Sequence, residues 1–243
     1  MLIPVCLFVM RPDRLLSLIV MTALAGGTVV ARQKLQSVDG DSETGEASFR
    51  YKFENPRFYV RIIEIDIDSN GVGELRFTRG ESDEVLDSKI KLLPATASRI
   101  RTLFKVTDFL GSRDDYQAEK DFSHLGWVTL VERQGSRKRE TRFNYTKVPE
   151  IKELEDIFRG IATQEMSLFD IENAERYQPL DLPKQLDLLE NDLKLERITE
   201  PERLLAALKE IAGDDIQPLI ARNQAQRLID QIKKGKFKSP IRK

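Results

Sequence analysis

The sequence predicts an α+β protein, an antiparallel sheet of two hairpins plus a further strand packed by helices and followed by a C-terminal helical cluster. Three observations predict it. Period-2 alternation marks five stretches between Phe58 and Tyr145, helical spacing marks 94–107 and 149–176, and past Tyr177 only helical spacing remains. The domain expectation is therefore an α+β unit over 49–177, a three-helix segment over 178–235 and a basic tail over 236–243.

The first 31 residues precede the fold. Two arginines, Arg11 and Arg14, stand before an apolar run from Leu15 to Leu24, and small residues lead to Val29-Val30-Ala31, the pattern of a secretory signal peptide. The nine residues ahead of Met10 sit awkwardly before a charged start, which points to Met10 as the true first residue. A retained anchor is the alternative, because Leu15–Ala31 approaches the roughly 20 apolar residues that span a bilayer. Gly26-Gly27 and the V-x-A ending favour cleavage, so the expectation is export to a periplasm or outside the cell with no stable membrane span afterwards. Cys6, the only cysteine, lies in the segment to be removed, which leaves no thiol for a disulfide, a nucleophile or a zinc ligand. Residues 32–48 are polar and without apolar period, a flexible lead-in.

In the sheet region, Ile63, Ile65 and Ile67 alternate with acids, and Leu75 and Phe77 alternate with polar residues after a turn. A three-residue loop Ser69-Asn70-Gly71 with Gly71 left-handed sets Ile65 opposite Leu75, Ile63 opposite Phe77 and Glu64 opposite Arg76. Ser88–Leu92 forms a further strand. Pro94 opens a helix with Ile100, Leu103 and Phe104 on one face. Leu125–Arg133 and Arg137–Tyr145 make the second hairpin through Gln134-Gly135-Ser136, and a long helix runs from Pro149 to Arg176 with Gly160 as a weak point. "PLDLP" is a linker to three short helices, one of them capped by Thr199 and stopped at Gly213.

Charged residues make up 33% of the 243, yet 39 basic against 40 acidic residues nearly cancel, so no whole-molecule field argues for nucleic acid. Site candidates are local. "DIDSNGVGE" begins like a calcium loop, but the twelfth position is Phe77 and both flanks are strands, so the hairpin reading prevails. Asp66, Asp68 and Glu74 remain as weak metal candidates at that hairpin end. The loop 111–127 carries Asp114, Asp115 and the lone His124, weak catalytic candidates for acid–base chemistry or a hydrolase, without a nucleophile elbow or a spaced histidine pair. Arg133, Arg137, Lys138, Arg139 and Arg142 form a basic stretch that glutamates dilute, and Trp127 reads as packing. The tail from Lys233 holds six cations and no acid, a frayed end or a contact for an anionic surface.

The runs "DSNGVGELRFTRG", "RIRTLFKVTDFL", "LGWVTLVERQGSRKRETRFNY" and "IKELEDIFRGIA" together resemble a loosely defined family of exported bacterial domains of unknown function. The resemblance covers about 58–165 and carries no catalytic residues. No cofactor is implied. The leading expectation is a non-catalytic binding or scaffolding module for an unknown protein or envelope component, against a hydrolase or metal-dependent enzyme at Asp114–His124 or a calcium-stabilised domain at Asp66–Glu74.

Overall fold

Among the described residues, alternating residues with one oily and one wet face pair into six strands: β1 (Ala47–Glu54), β2 (Val60–Asp68), β3 (Val72–Arg79), β4 (Leu86–Lys91), β5 (Trp127–Gln134) and β6 (Arg137–Phe143). A computed structural model describes residues 45–239 and 241 of the chain, so the expectations for Cys6, Met10 and the signal segment lie outside the described residues. The strands form one antiparallel sheet in the order β4-β3-β2-β1-β5-β6. The α+β class is as the sequence predicts, with one strand more. That strand is β1, whose Phe49, Tyr51 and Phe53 alternate inward and join the two hairpins at the centre of the sheet.

The β2–β3 register follows the turn chemistry. Ile65 faces Leu75, Ile63 faces Phe77 and Glu64 faces Arg76. Gly71 takes φ +78°, a left-handed conformation that a side chain would strain. The second hairpin is tighter than expected. Gln134 pairs with Arg137, leaving Gly135-Ser136 as a two-residue loop.

Among the described residues five α-helices complete the fold: α1 (Pro94–Val106), α2 (Pro149–Tyr177), α3 (Leu182–Lys194), α4 (Leu205–Gly213) and α5 (Leu219–Lys233). Two cores share α2. Its N-terminal half buries Ile151, Leu154, Phe158 and Ile161 with α1 against the inner face of the sheet, where Tyr51 stacks on Phe158 with ring centroids 5.3 Å apart. Its C-terminal half buries Ile171 and Ala174 among leucines of α3, α4 and α5. At 1.5 Å per residue, its 29 residues make a spine about 43 Å long. The expected "PLDLP" linker is short, since Pro179–Asp181 forms a single 3-10 turn and α3 starts at Leu182.

Gly160 does not weaken α2. The helix is unbroken, and a Cβ at Gly160 would stand 2.2 Å from Thr199 Oγ1, so the glycine leaves room for the segment that crosses over it. Thr199 is not the helix cap that its sequence context predicts. Its hydroxyl donates to the Ile157 carbonyl of α2 at 2.9 Å, because the crossing backbone lies closer than the helix start that follows it. Next to it, Glu200 N donates to Gln164 Oε1 at 2.9 Å, and Glu200 Oε1 accepts from Leu93 N at 2.8 Å. Arg203 bonds Glu165 and reaches Glu200 at 3.5 Å. The tail follows the same crossing, with Ser239 Oγ donating to the Thr199 carbonyl at 2.7 Å while Phe237 and Ile241 pack against the two cores.

Gly160→Ala offers a direct check. Helix propensity alone would favour alanine by about 1 kcal/mol, whereas the clash with Thr199 predicts a net loss of about 1–3 kcal/mol. Urea denaturation measures the sign, and a gain in stability would contradict the close crossing.

Candidate functional site

The hairpin-end acids are each engaged by the protein, with Arg76 shared between Asp66 and Glu74. Asp66 accepts from Arg50 Nε at 2.5 Å and from Arg76 Nη2 at 2.8 Å. Asp68 caps the turn by accepting from the backbone of Asn70 at 2.8 Å and of Val72 at 2.9 Å. Glu74 takes Lys89 Nζ at 2.6 Å, which holds its carboxyl below the usual range. Asp66, Asp68 and Glu74 therefore serve ion pairs and a turn, and among the described residues no group of three or more His, Asp or Glu is placed to hold a metal.

The same ion pairs run across the open face of the sheet as an alternating ladder. Lys89 on β4, Glu74 and Arg76 on β3, Asp66 on β2 and Arg50 on β1 neutralise one another in register. Arg142 of β6 lies over the Trp127 ring at 4.7 Å, so Trp127 packs under a cation at the sheet end. The basic hairpin is internally compensated in the same way, with Lys138 bonded to Glu140 at 2.8 Å. Arg139 instead turns inward. It lies over the rings of Phe109 and Tyr116 and donates to the Phe109 carbonyl at 2.6 Å.

The loop candidates separate. Asp114 accepts from Ser112 Oγ at 2.6 Å, and Asp115 accepts from Gln117 N at 2.9 Å, so both close local turns at an exposed rim. His124 lies in a 3-10 turn whose neighbour Phe122 is 6.0 Å away between ring centroids, and its backbone carbonyl takes Asn55 Nδ2 at 3.1 Å. A shallow depression takes in Asp114 and Asp115 together with Arg139 and Arg142 but not His124. The carboxylate that acts electrostatically with His124 is Asp121, held below its usual pKa first by the Ser123 backbone N–H. The structure thus brings the two aspartates together and leaves the histidine elsewhere.

A cleft of about 890 Å³ lies on another part of the surface, between the β4 edge, the C-terminal half of α2 and α4. Its carboxylates are Asp87 from β4, Glu165, Glu172 and Glu175 from α2, and Glu210 and Asp214 at the end of α4. Only Lys89 and Arg176 oppose them among its lining residues. Leu168, Phe169 and Ile171 supply apolar floor, and Ala206 and Ala207 keep the α4 wall low. Burial first, then repulsion from Glu210 and Asp214, pushes the Glu175 carboxyl above its usual range. Sequence reading misses these residues because they come from three distant elements. The one local signal is acids in the last turns of α2 and α4, where the helix dipole favours bases.

No protein-family model matches the chain, and no curated protein matches it.

One titrating group lies apart from the cleft. Glu132 on β5 takes the core-facing register opposite Phe49, and burial pushes its carboxyl up to about 7 despite Arg137 nearby. The folded chain holds a proton there that the unfolded chain releases near the ordinary glutamate value of about 4.3. The Glu132 contribution is fully present below that value and is lost as pH rises through about 7. Glu132→Gln is expected to match the parent near pH 4 and to exceed it by about 1 kcal/mol at pH 8, a figure set below the full linkage because the side chain is partly exposed. Denaturant midpoints at both pH values test this, and equal midpoints at pH 8 would contradict it.

Proposed function

We propose that the chain is an exported, non-catalytic binding module whose contact surface is the acidic cleft between β4, α2 and α4, and whose partner presents basic side chains. The observation that carries this reading is the gathering of five carboxylates, Asp87, Glu172, Glu175, Glu210 and Asp214, beside the Arg203-bonded Glu165 and against Lys89 and Arg176, in one cleft of a chain whose overall charge is −1. Carboxylates on this scale, next to apolar floor, suit a basic polypeptide segment better than an anion or a neutral small molecule. Support for a non-catalytic role comes from the depression that Asp114 and Asp115 line without His124, since general acid–base work needs groups within hydrogen-bond reach of one substrate position. Export rests on the arginine-led apolar run that ends at Ala31, together with the resemblance to exported domains.

A fluorescent lysine-rich peptide titrated into the protein at low ionic strength tests the surface. Binding is expected, with affinity falling about tenfold when Glu172 and Glu210 are both changed to lysine and holding steady in Asp115→Asn. Binding that survives the double charge reversal would contradict the assignment. Hydrolysis of ester or phosphoester substrates that disappears in His124→Ala would contradict the non-catalytic reading.

A further inference from the structure

Within the acidic cleft one acceptor is left over. Gln217 lines the cleft with 6% of its surface exposed. Its Nε2 donates to Asp214 Oδ2 at 3.1 Å and reaches the Glu175 carbonyl at 3.5 Å, while its Oε1 is buried without any donor. An unsatisfied buried acceptor costs stability and is filled by any N–H that reaches it. Exchanging the amide's oxygen and nitrogen does not resolve the problem, because the oxygen would then face the Asp214 carboxylate.

The surroundings of this acceptor select the charge of the donor. The last turns of α2 and of α4 both line this part of the cleft, and a helix C-terminus carries partial negative charge. A base in each last turn would offset that charge. α4 has none, and its last turn instead holds Glu210, with Asp214 directly after it. In α2, Arg176 is bonded to Glu172 one turn back and only partly offsets the repulsion that Glu175 meets from Glu210 and Asp214. Two helix ends, three carboxylates and one unpartnered buried acceptor thus line one part of the cleft, where Arg176 acts on Glu175 and Arg222 on Asp214 while Glu210 has no bonded cation among the described residues. Such a concentration of like charge destabilises the free protein, and places where local rules are broken are where function is sought first.

We infer that this end of the cleft is a subsite for a single organic cation, a guanidinium or ammonium group that donates to Gln217 Oε1 and is flanked by the carboxylates of Glu175 and Glu210. The inference rests on the reading of the cleft as the binding surface and names the chemistry of the group that enters it. An arginine or lysine side chain of the partner supplies that group, and a free polyamine shares the same chemistry. Inorganic cations fit less well, because Gln217 offers one neutral oxygen and Asp214 is already committed to its backbone turn and to the Gln217 amide.

Arginine amide, spermidine and an arginine-containing peptide are the probes, each titrated by calorimetry and followed through the side-chain amide signals of Gln217 by NMR. Binding with a shift of the Gln217 signals is expected, weakened about tenfold in Gln217→Leu, which removes the acceptor. Glu210→Gln separates a binding role from a structural one. It is expected to raise Tm by about 1–3 °C by relieving repulsion at the helix end, while weakening the cation about fivefold. A peptide response with no effect of the free cations assigns the subsite to a polypeptide partner, and the reverse order assigns it to a small polyamine. A peptide that binds equally to parent and Gln217→Leu overturns the subsite while leaving the cleft as the contact surface. Absence of binding by every probe overturns both.

Discussion

The crossing of Ile198–Arg203 over α2 is the contact on which the rest of the structure depends. Gly160 is bare so that Thr199 can lie against the helix, and the backbone that passes there carries Glu200 and Arg203 into a buried set of hydrogen bonds with Gln164, Glu165 and Leu93. Glu165 and Glu200 are 3% and 1% exposed as side chains, so neither carboxylate has water to stabilise it, and burial pushes Glu165 above its usual range with Arg203 opposing. Such a group is costly when incomplete. Completed, it ties the α1 entrance, the middle of α2 and the start of α4 into one register. Alternative packings of the helical segment on α2 would leave two carboxylates and a guanidinium buried unpaired.

That fixed register is also what shapes the acidic cleft. α4 leaves the crossing with Leu204 and Leu208 in the helical core, which directs Ala206, Ala207 and Glu210 toward the β4 edge and α2. Charge is therefore distributed unevenly across a nearly neutral chain. The open face of the sheet cancels pair by pair, whereas the cleft accumulates carboxylates at two helix ends. Long-range fields follow such local imbalances more than net charge.

The sheet hairpins were legible in the sequence because period, turn residue and cross-strand charge all selected one register at Ser69-Asn70-Gly71. The extents of α1 and α2 were legible for a similar reason, since proline opens each and apolar spacing continues to its end. Strand β1 is lost beside a polar lead-in, although Phe49, Tyr51 and Phe53 alternate, because it runs straight out of that lead-in and one of its two partners, β5, comes from a distant part of the chain. Gly160 and Thr199 looked like a helix defect and a helix cap when read within a few residues. Their meaning lies in each other, 39 positions apart in the chain. The candidate site was the least legible, because Asp114, Asp115 and His124 are near in sequence and separate in space, while Glu175, Glu210 and Gln217 are the reverse.

If the crossing unites the two cores, α2 opens as one piece. Native-state hydrogen exchange under increasing denaturant measures this directly, comparing amides of the sheet-facing half around Leu154–Ile161 with those around Ile171–Ala174 in the helical half. One cooperative unit predicts that both sets converge on the same global unfolding free energy. Exchange of the Ile171–Ala174 amides at a free energy lower by about 2 kcal/mol or more would mean that the helical segment unfolds on its own, and would contradict the crossing as the joint of the fold.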